Sequence, residues 1–337
     1  MKYLKRIIYA FLTFLVFSFV IFYFWASSSF YSHSDYYKIV NFKKEDPVNK
    51  DTFSIMTYNI GYLSGLNNNL PFLTSQNTVI SNLTKAINII STLNPDFIGF
   101  QEIDFCSKRS HFTNQFDSIA KDAGFRMGAM AVNWDKRYVP FPYWPPSVHF
   151  GRILSGQAIL SKYDIKENMV VKLPKPASNA FYYNAFYLDR LIQSATIYLP
   201  ANRIIRIINV HLEAFDQETR ELQSGLLVKY LMDLPDDLNY LLIGDFNSRP
   251  PYNGVNLNNE ETIRNLLAIG LVPAVDEKTY NSNPEQYLTF NSRNPVEKID
   301  YIFYNPEKIR KIDTYVVKDM GDISDHLPVI MKFVLKN

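Results

Sequence analysis

Along this chain apolar stretches run repeatedly into a polar residue at the point where a buried strand would meet its loop. Leu241 to Pro250 reads L-L-I-G-D-F-N-S-R-P. Residues two apart on an extended chain share a face, so Asp245 and Asn247 would set a carboxylate beside a carboxamide at the mouth of a sheet. Alone the stretch also reads as a turn, because Asp, Asn, Gly, Ser and Pro are all turn residues. The same ending returns with Asn59 after F-S-I-M-T-Y, Glu102 after F-I-G-F-Q, and His211 after I-I-N-V. Asp300 interrupts K-I-D-Y-I-F, and Asp325-His326 precedes L-P-V-I-M-K-F. Each has an ordinary explanation taken singly: a turn cap, a solvated strand end, a satisfied core histidine, a loop. Asp300 resists it, since a carboxylate between Ile299 and Tyr301 needs a partner if buried. Together they fit a site gathered at strand ends of a layered α/β fold.

The remaining pattern agrees. Strands are expected at Phe53–Tyr58, Phe97–Gln101, Gln157–Ser161, Ile192–Leu199, Arg203–Leu212, Tyr240–Ile243, Ile299–Tyr304, around Thr314–Val317 and at Leu327–Phe333. Helices are expected at Val79–Leu93, Phe112–Ala123, Glu218–Leu234 and Asn259–Ile269. Strands with interspersed helices predict sheets packed face to face with helices outside. The chain has 337 residues, 47% of them hydrophobic, enough for a sizeable core. Its formal net charge of +2 gives no support from composition for nucleic-acid binding. One cysteine, Cys106, excludes an intramolecular disulfide and reads as a small buried residue rather than a nucleophile.

Ile7 to Trp25 is an uncharged apolar run behind Lys2, Lys5 and Arg6. As a helix it is about 28 Å long, close to the thickness of a bilayer's hydrocarbon core. Residues 1–27 therefore read as a signal-anchor with its N-terminus cytoplasmic and the rest exported. The rival reading is a cleaved signal peptide, which would leave a secreted protein. Residues 28–50 read as a polar linker, and 51–337 as one compact domain. The sequon Asn82-Leu83-Thr84 matters only in a host that glycosylates exported proteins.

Hard oxygen ligands suit Mg²⁺, Mn²⁺ or Ca²⁺ better than zinc, and imidazoles beside such a cation indicate phosphoryl chemistry. The motifs Tyr58-Asn59, Gln101-Glu102, N-V-H-L at Asn209–Leu212, G-D-F-N at Gly244–Asn247, I-D-Y-I at Ile299–Ile302 and S-D-H-L-P-V at Ser324–Val329 resemble the endonuclease/exonuclease/phosphatase superfamily. The resemblance covers about residues 51 to 335 and implies a four-layer α/β sandwich of two packed mixed sheets flanked by helices. It implies Glu102, Asn59 and Asp325 as ligands of a divalent metal, with Mg²⁺ first. It implies His326 facing the phosphate with Asp300 behind it, Asp245 orienting or deprotonating the attacking water, and Asn247 holding a phosphate oxygen. His211 is either a general acid or a transition-state donor.

The resemblance sets the reaction type and leaves the substrate open. Tyr138–Arg152 and Phe181–Arg190 are rich in aromatics, which either pack a stiff loop or wall a substrate site. Arg109, Arg152 and Arg190 are candidate phosphate contacts. An exported domain beside a bilayer meets lipid headgroups at high effective concentration, so a lipid or small phosphoester is the first expectation. An exported deoxyribonuclease-like endonuclease is the second. A catalytically inactive membrane-tethered binding protein is the third, although no motif residue is missing. No protein partner is predicted.

Overall fold

The computed structural model describes residues 2–42, 48–68, 70, 72–252 and 259–336. A helix, α1 (Lys2–Ser27), precedes thirteen strands: β1 (Ile39–Asn41), β2 (Thr52–Asn59), β3 (Phe97–Asp104), β4 (Met127–Val139), β5 (Gly151–Ser161), β6 (Asp164–Leu173), β7 (Arg190–Leu199), β8 (Arg203–His211), β9 (Tyr240–Asp245), β10 (Val272–Pro273), β11 (Asp300–Tyr304), β12 (Ile309–Val316) and β13 (Val329–Leu335). One sheet runs β1-β4-β5-β3-β2-β13-β12 and the other β10-β11-β9-β8-β7-β6. Only β2–β3 and β8–β9 pair in parallel among the described strands, so both sheets are mixed, as expected.

The sheets pack through apolar side chains such as Phe53, Ile55, Phe97, Ile207, Leu241 and Ile302. A polar bridge crosses this core towards its functional end. Gln101 Nε2 donates to Asn209 Oδ1 at 2.6 Å, and Asn209 Nδ2 donates to the Phe100 carbonyl at 2.9 Å. Both residues are fully buried, so these bonds satisfy groups that would otherwise be costly.

The further helices are α2 (Gln76–Leu93), α3 (Gln115–Asp122), α4 (Phe181–Asn184), α5 (Gln217–Met232), α6 (Thr262–Ala268) and α7 (Glu277–Ser282). Local chemistry sets their ends. Ser75 and Asp216 cap α2 and α5 by accepting from Thr78 N and Thr219 N, and left-handed Asn94 closes α2 before Pro95. The helix expected from Phe112 starts only at Gln115. His111 and Phe112 have positive φ, and Asn114 caps the helix by accepting from Asp117 N.

β4 and β6 are absent from the sequence expectation. Gly128, Asn133, Asp135 and Lys136 break the pattern of β4, and β6 is an edge strand carrying Lys166, Glu167 and Lys172. The stretch read as a linker also corrects in part, because β1 pairs with β4 at Ile39↔Ala129. Residues 43–47 of it lie outside the described residues. Cys106 is half-buried and packs against the core. Asn82 of the sequon is buried and donates to the Leu63 carbonyl at 2.9 Å, which leaves no room for a glycan.

Candidate active site

The polar strand ends meet in one place because the two parallel pairs, one in each sheet, terminate on the same side. In register, Asn59 on β2 lies opposite Gln101 on β3. On the facing sheet Asp245 at the end of β9 pairs with His211 on β8 and with Asp300 on β11. A row of imidazole and carboxylates therefore follows from pairing alone. Gly244 makes this closeness possible. Its φ is 147°, and a Cβ there would collide with the Val210 carbonyl.

Glu102 is aimed by a bulge. Between Phe100 and Ile103 β3 carries one residue more than β5, and Glu102 takes φ 52°. Such a bulge turns a side chain out of the alternating pattern, here towards the facing sheet. Glu102 Oε1 ends 4.0 Å from His211 Nε2, and Asn68 Nδ2 donates to Oε2 at 2.7 Å.

Asp245 is the hub. Its Oδ2 accepts from Asn59 Nδ2 at 2.9 Å and lies 3.5 Å from His211 Nε2 and 3.8 Å from His326 Nε2. Its Oδ1 accepts from the Asn247 amide at 2.9 Å, possible because Asn247 turns at φ 50°. His326 Nδ1 lies 3.0 Å from Asp300 Oδ2, so buried Asp300 has the partner it needs. Ser324 fixes the loop: its hydroxyl donates to the Asn59 carbonyl at 2.8 Å and accepts from the His326 amide at 3.1 Å.

Burial and neighbours separate the two imidazoles. His211 is pushed well below its ordinary value by burial, then by Arg190 and His326, and stays neutral. Burial pushes His326 down as well, but Asp300 and Asp245 outweigh it and the ring is held well above its ordinary value, protonated. Burial, then Asp300, raises Asp245 to about 7 against the pull of His326. Glu102 is raised by burial first and by Asp325 second.

Of the three arginines, the structure brings only Arg190 to the cavity here. It faces Glu213 at 3.5 Å, Tyr187 donates to the same carboxylate at 2.7 Å, and Arg190 Nη1 is buried without a hydrogen-bond partner. Arg109 instead pairs with buried Asp104 at 3.0 Å beneath the Tyr62 ring, and Arg152 lies over Phe30 at 3.9 Å. Asn68, Ser324 and Glu213 were not foreseen, and Tyr187 only as one of the aromatics of Phe181–Arg190. They lie outside the motifs or, for Ser324, inside one without a role of its own.

A divalent cation fits this end of the sheets. It would take carboxylate and carboxamide oxygens as donors, and it would offset the charge by which Asp325, after burial, raises Glu102. Among the described residues Asp245, Asp300 and His326 also offer ligand atoms within 4.8 Å of one another. Those atoms, however, already face each other in the Asp300–His326–Asp245 chain.

Two mixed sheets with helices outside and a carboxylate–imidazole cluster at one end define a class of phosphoester-cleaving folds. The chain belongs to the Endonuclease/Exonuclease/phosphatase family, whose sequence model matches residues 56–326. Solved structures share the fold. An endonuclease/exonuclease/phosphatase from Beutenbergia cavernae is 18% identical with a TM-score of 0.60, over 86% of this chain and 72% of that one. The human Nocturnin catalytic domain with bound sulfate is 16% identical at 0.59, over 89% and 97%. A humanised D. rerio TDP2 carrying 14 mutations is 14% identical at 0.57, over 84% and 98%. No curated protein matches in sequence. The family includes phosphodiesterases, nucleases and phosphatases, and its enzymes depend on divalent metal. α1 is long and apolar enough to cross a membrane.

Proposed function

We propose that this chain is a membrane-anchored, divalent-metal-dependent hydrolase of a lipid or other small phosphoester, with the catalytic domain exported. The observation that carries the reading is Asp245, hydrogen-bonded to Asn59 and flanked at 3.5 and 3.8 Å by one neutral and one protonated imidazole.

Glu102, Asn59 and Asp325 would hold Mg²⁺, which when bound offsets charge on the phosphoryl oxygens. Asp245 takes a proton from water as the water oxygen forms its bond to phosphorus. Its raised affinity for protons suits a base working near neutrality. The ester P–O bond opposite breaks, and the leaving oxygen takes its proton from His326, the ring that carries the extra one. Asp300 fixes the tautomer and orientation of that ring. His211, neutral, presents Nε2 as a hydrogen-bond donor to the phosphoryl group. Asn247 gives one N–H to the Leu212 carbonyl at 3.0 Å and keeps the second for a phosphate oxygen. Every motif residue is in place, which supports an enzyme over an inactive tether.

The test uses the full chain in proteoliposomes with Mg²⁺, on phospholipid or sphingomyelin vesicles and plasmid DNA side by side, with His326→Ala as control. Lipid cut, DNA spared and a dead variant are expected. Nicked DNA with intact lipid would make the protein an exported nuclease instead.

A further inference from the structure

α1 is built into the domain rather than hung from it. Its last residues pack on β4 and the aromatic loops. Tyr23 meets Phe186 edge to face at 5.7 Å, Trp25 stacks on Tyr138 at 6.4 Å, and Ala26 is fully buried. Lys136 Nζ donates to the Ser27 carbonyl at 2.8 Å, and the Arg137 amide donates to that of Ser28 at 3.1 Å. The carboxylate of Asp135 then accepts from the amides of Phe30 and Tyr31 and from the Tyr36 hydroxyl. The helix leaves the domain in a fixed direction.

That direction matters because the same helix walls the active-site cavity, of ≈ 1200 Å³. At one end of the cavity stand Glu102, Asp245, Asp325 and His326. Much of its remaining lining is aromatic and apolar, including Phe19, Phe22 and Tyr23 from α1, Phe181 of α4 and Phe215 from the loop before α5. Phe181 and Phe215 are 80% and 82% exposed, unusual for phenylalanine on a surface facing only water. The cavity exceeds the upper range of ordinary small-molecule pockets, about 1,000 Å³.

The length of α1 sets the depth of this wall. The run Ile7–Trp25 matches a bilayer core only if its last two turns are included. Without Phe19–Trp25 roughly 12 residues remain, about 18 Å of helix, too short to cross about 30 Å of hydrocarbon. The residues that complete the span are therefore those that line the cavity. With α1 spanning a bilayer, the wall formed by its last two turns would lie at the boundary between headgroups and acyl chains.

We infer that α1 is part of the substrate site, and that the substrate is an amphiphilic phosphoester drawn from the bilayer. Its phosphate lies among the carboxylates and imidazoles and its hydrocarbon chain along Phe19, Phe22 and Phe181. This rests on the phosphoester-hydrolase reading and adds to it the class of substrate and a catalytic use for the membrane helix. Nucleic acid fits less well. Among the described residues lining the cavity Arg190 is the only arginine or lysine, and it already faces Glu213. A polynucleotide track needs several phosphate-neutralising side chains.

The experiment is a chain-length series. Full-length protein in nanodiscs is given 4-nitrophenyl alkyl phosphates with alkyl groups of one to eight carbons, each below its micelle concentration, and plasmid DNA in parallel. The expected result is a rise in kcat/KM of about 2- to 4-fold per methylene, the range for partial to full burial of each CH₂. Phe22→Ser and Phe181→Ser should each flatten that slope. A wild-type slope near zero with the methyl ester still cleaved overturns the inference and leaves the phosphoester reading standing. So does a flat slope with plasmid nicking, which would assign the cavity to nucleic acid. No cleavage of any ester or of DNA overturns the phosphoester reading itself. Because the wild-type slope decides alone, a variant that fails to fold does not blunt the test.

Discussion

Oδ2 of Asp300 lies 3.0 Å from Nδ1 of His326, while Nε2 of the same ring faces Asp245 Oδ2 at 3.8 Å. The imidazole is thus held between two buried carboxylates, one fixing it from behind and one in front. Asp300→Asn keeps the shape and removes the charge behind the ring. The proton affinity of His326 should then fall, because burial is no longer outweighed to the same degree. Turnover should drop about 10²- to 10⁴-fold with little change in KM. Steady-state kinetics together with the ¹⁵N shifts of the ring against pH would check both. A variant with normal turnover would remove Asp300 from the mechanism.

Glu102 owes its position to the bulge in β3, and burial first and Asp325 second raise its proton affinity. A divalent cation should relieve the repulsion from Asp325 and stabilise the folded chain. At a concentration about 100 times Kd the gain is about 2.7 kcal/mol. Thermal unfolding with and without Mg²⁺ should show the shift in the wild type and lose most of it in Glu102→Gln. Chelation should abolish hydrolysis and added Mg²⁺ restore it. An equal shift in both proteins would place the cation elsewhere.

The assembly of the site was legible to the extent that pairing is local. Each strand-end polar residue could be read from one stretch of sequence, and the fold class followed from many strands with helices between them. What escaped depends on contacts across the fold. Asn68 reaches Glu102 from a loop with no periodic signal. The sequence leaves Arg109, Arg152 and Arg190 equivalent, and only packing separates them, because Asp104 and the Tyr62 ring hold Arg109 while Arg190 is left at the cavity. β4 was hidden because its polar side chains have distant partners, Asp135 holding the chain after α1 and Lys136 its last turn.

Those two arginines give a paired prediction. Arg109→Leu leaves Asp104 buried and uncompensated, which costs about 3–5 kcal/mol of stability, yet the folded fraction should keep its KM. Arg190→Leu removes a buried guanidinium from the cavity wall and leaves buried Glu213 without its cation, so it too costs stability and only KM sets the two apart. It should raise KM by about 10- to 100-fold, the range for losing a hydrogen bond to a charged group. Denaturation curves and kinetics on the same preparations separate the roles. A raised KM in Arg109→Leu would return that residue to the site.

Lys298 gives a signed pH dependence of stability above neutrality. It is almost fully buried, its Nζ donates to the Asp300 carbonyl at 3.1 Å, and it lies 3.3 Å over the Tyr301 ring. Burial pushes it from 10.5 down to about 7, with Asp300 opposing. The unfolded chain keeps the ordinary value, so between about pH 7 and 10.5 the unfolded state binds more protons than the folded one. Stability attributable to this group therefore rises with pH through that window and is lowest below it. The slope cannot exceed about 1.4 kcal/mol per pH unit. Lys298→Met keeps an unbranched apolar side chain, one atom shorter, and removes the charge. It should flatten the slope of unfolding midpoint against pH between about 7 and 9.5, measured in metal-free buffer on the detergent-solubilised chain, and raise stability most at the acid end. Parallel curves for the two proteins would mean that Lys298 stays protonated in the fold, with the carboxylate of Asp300 compensating its burial.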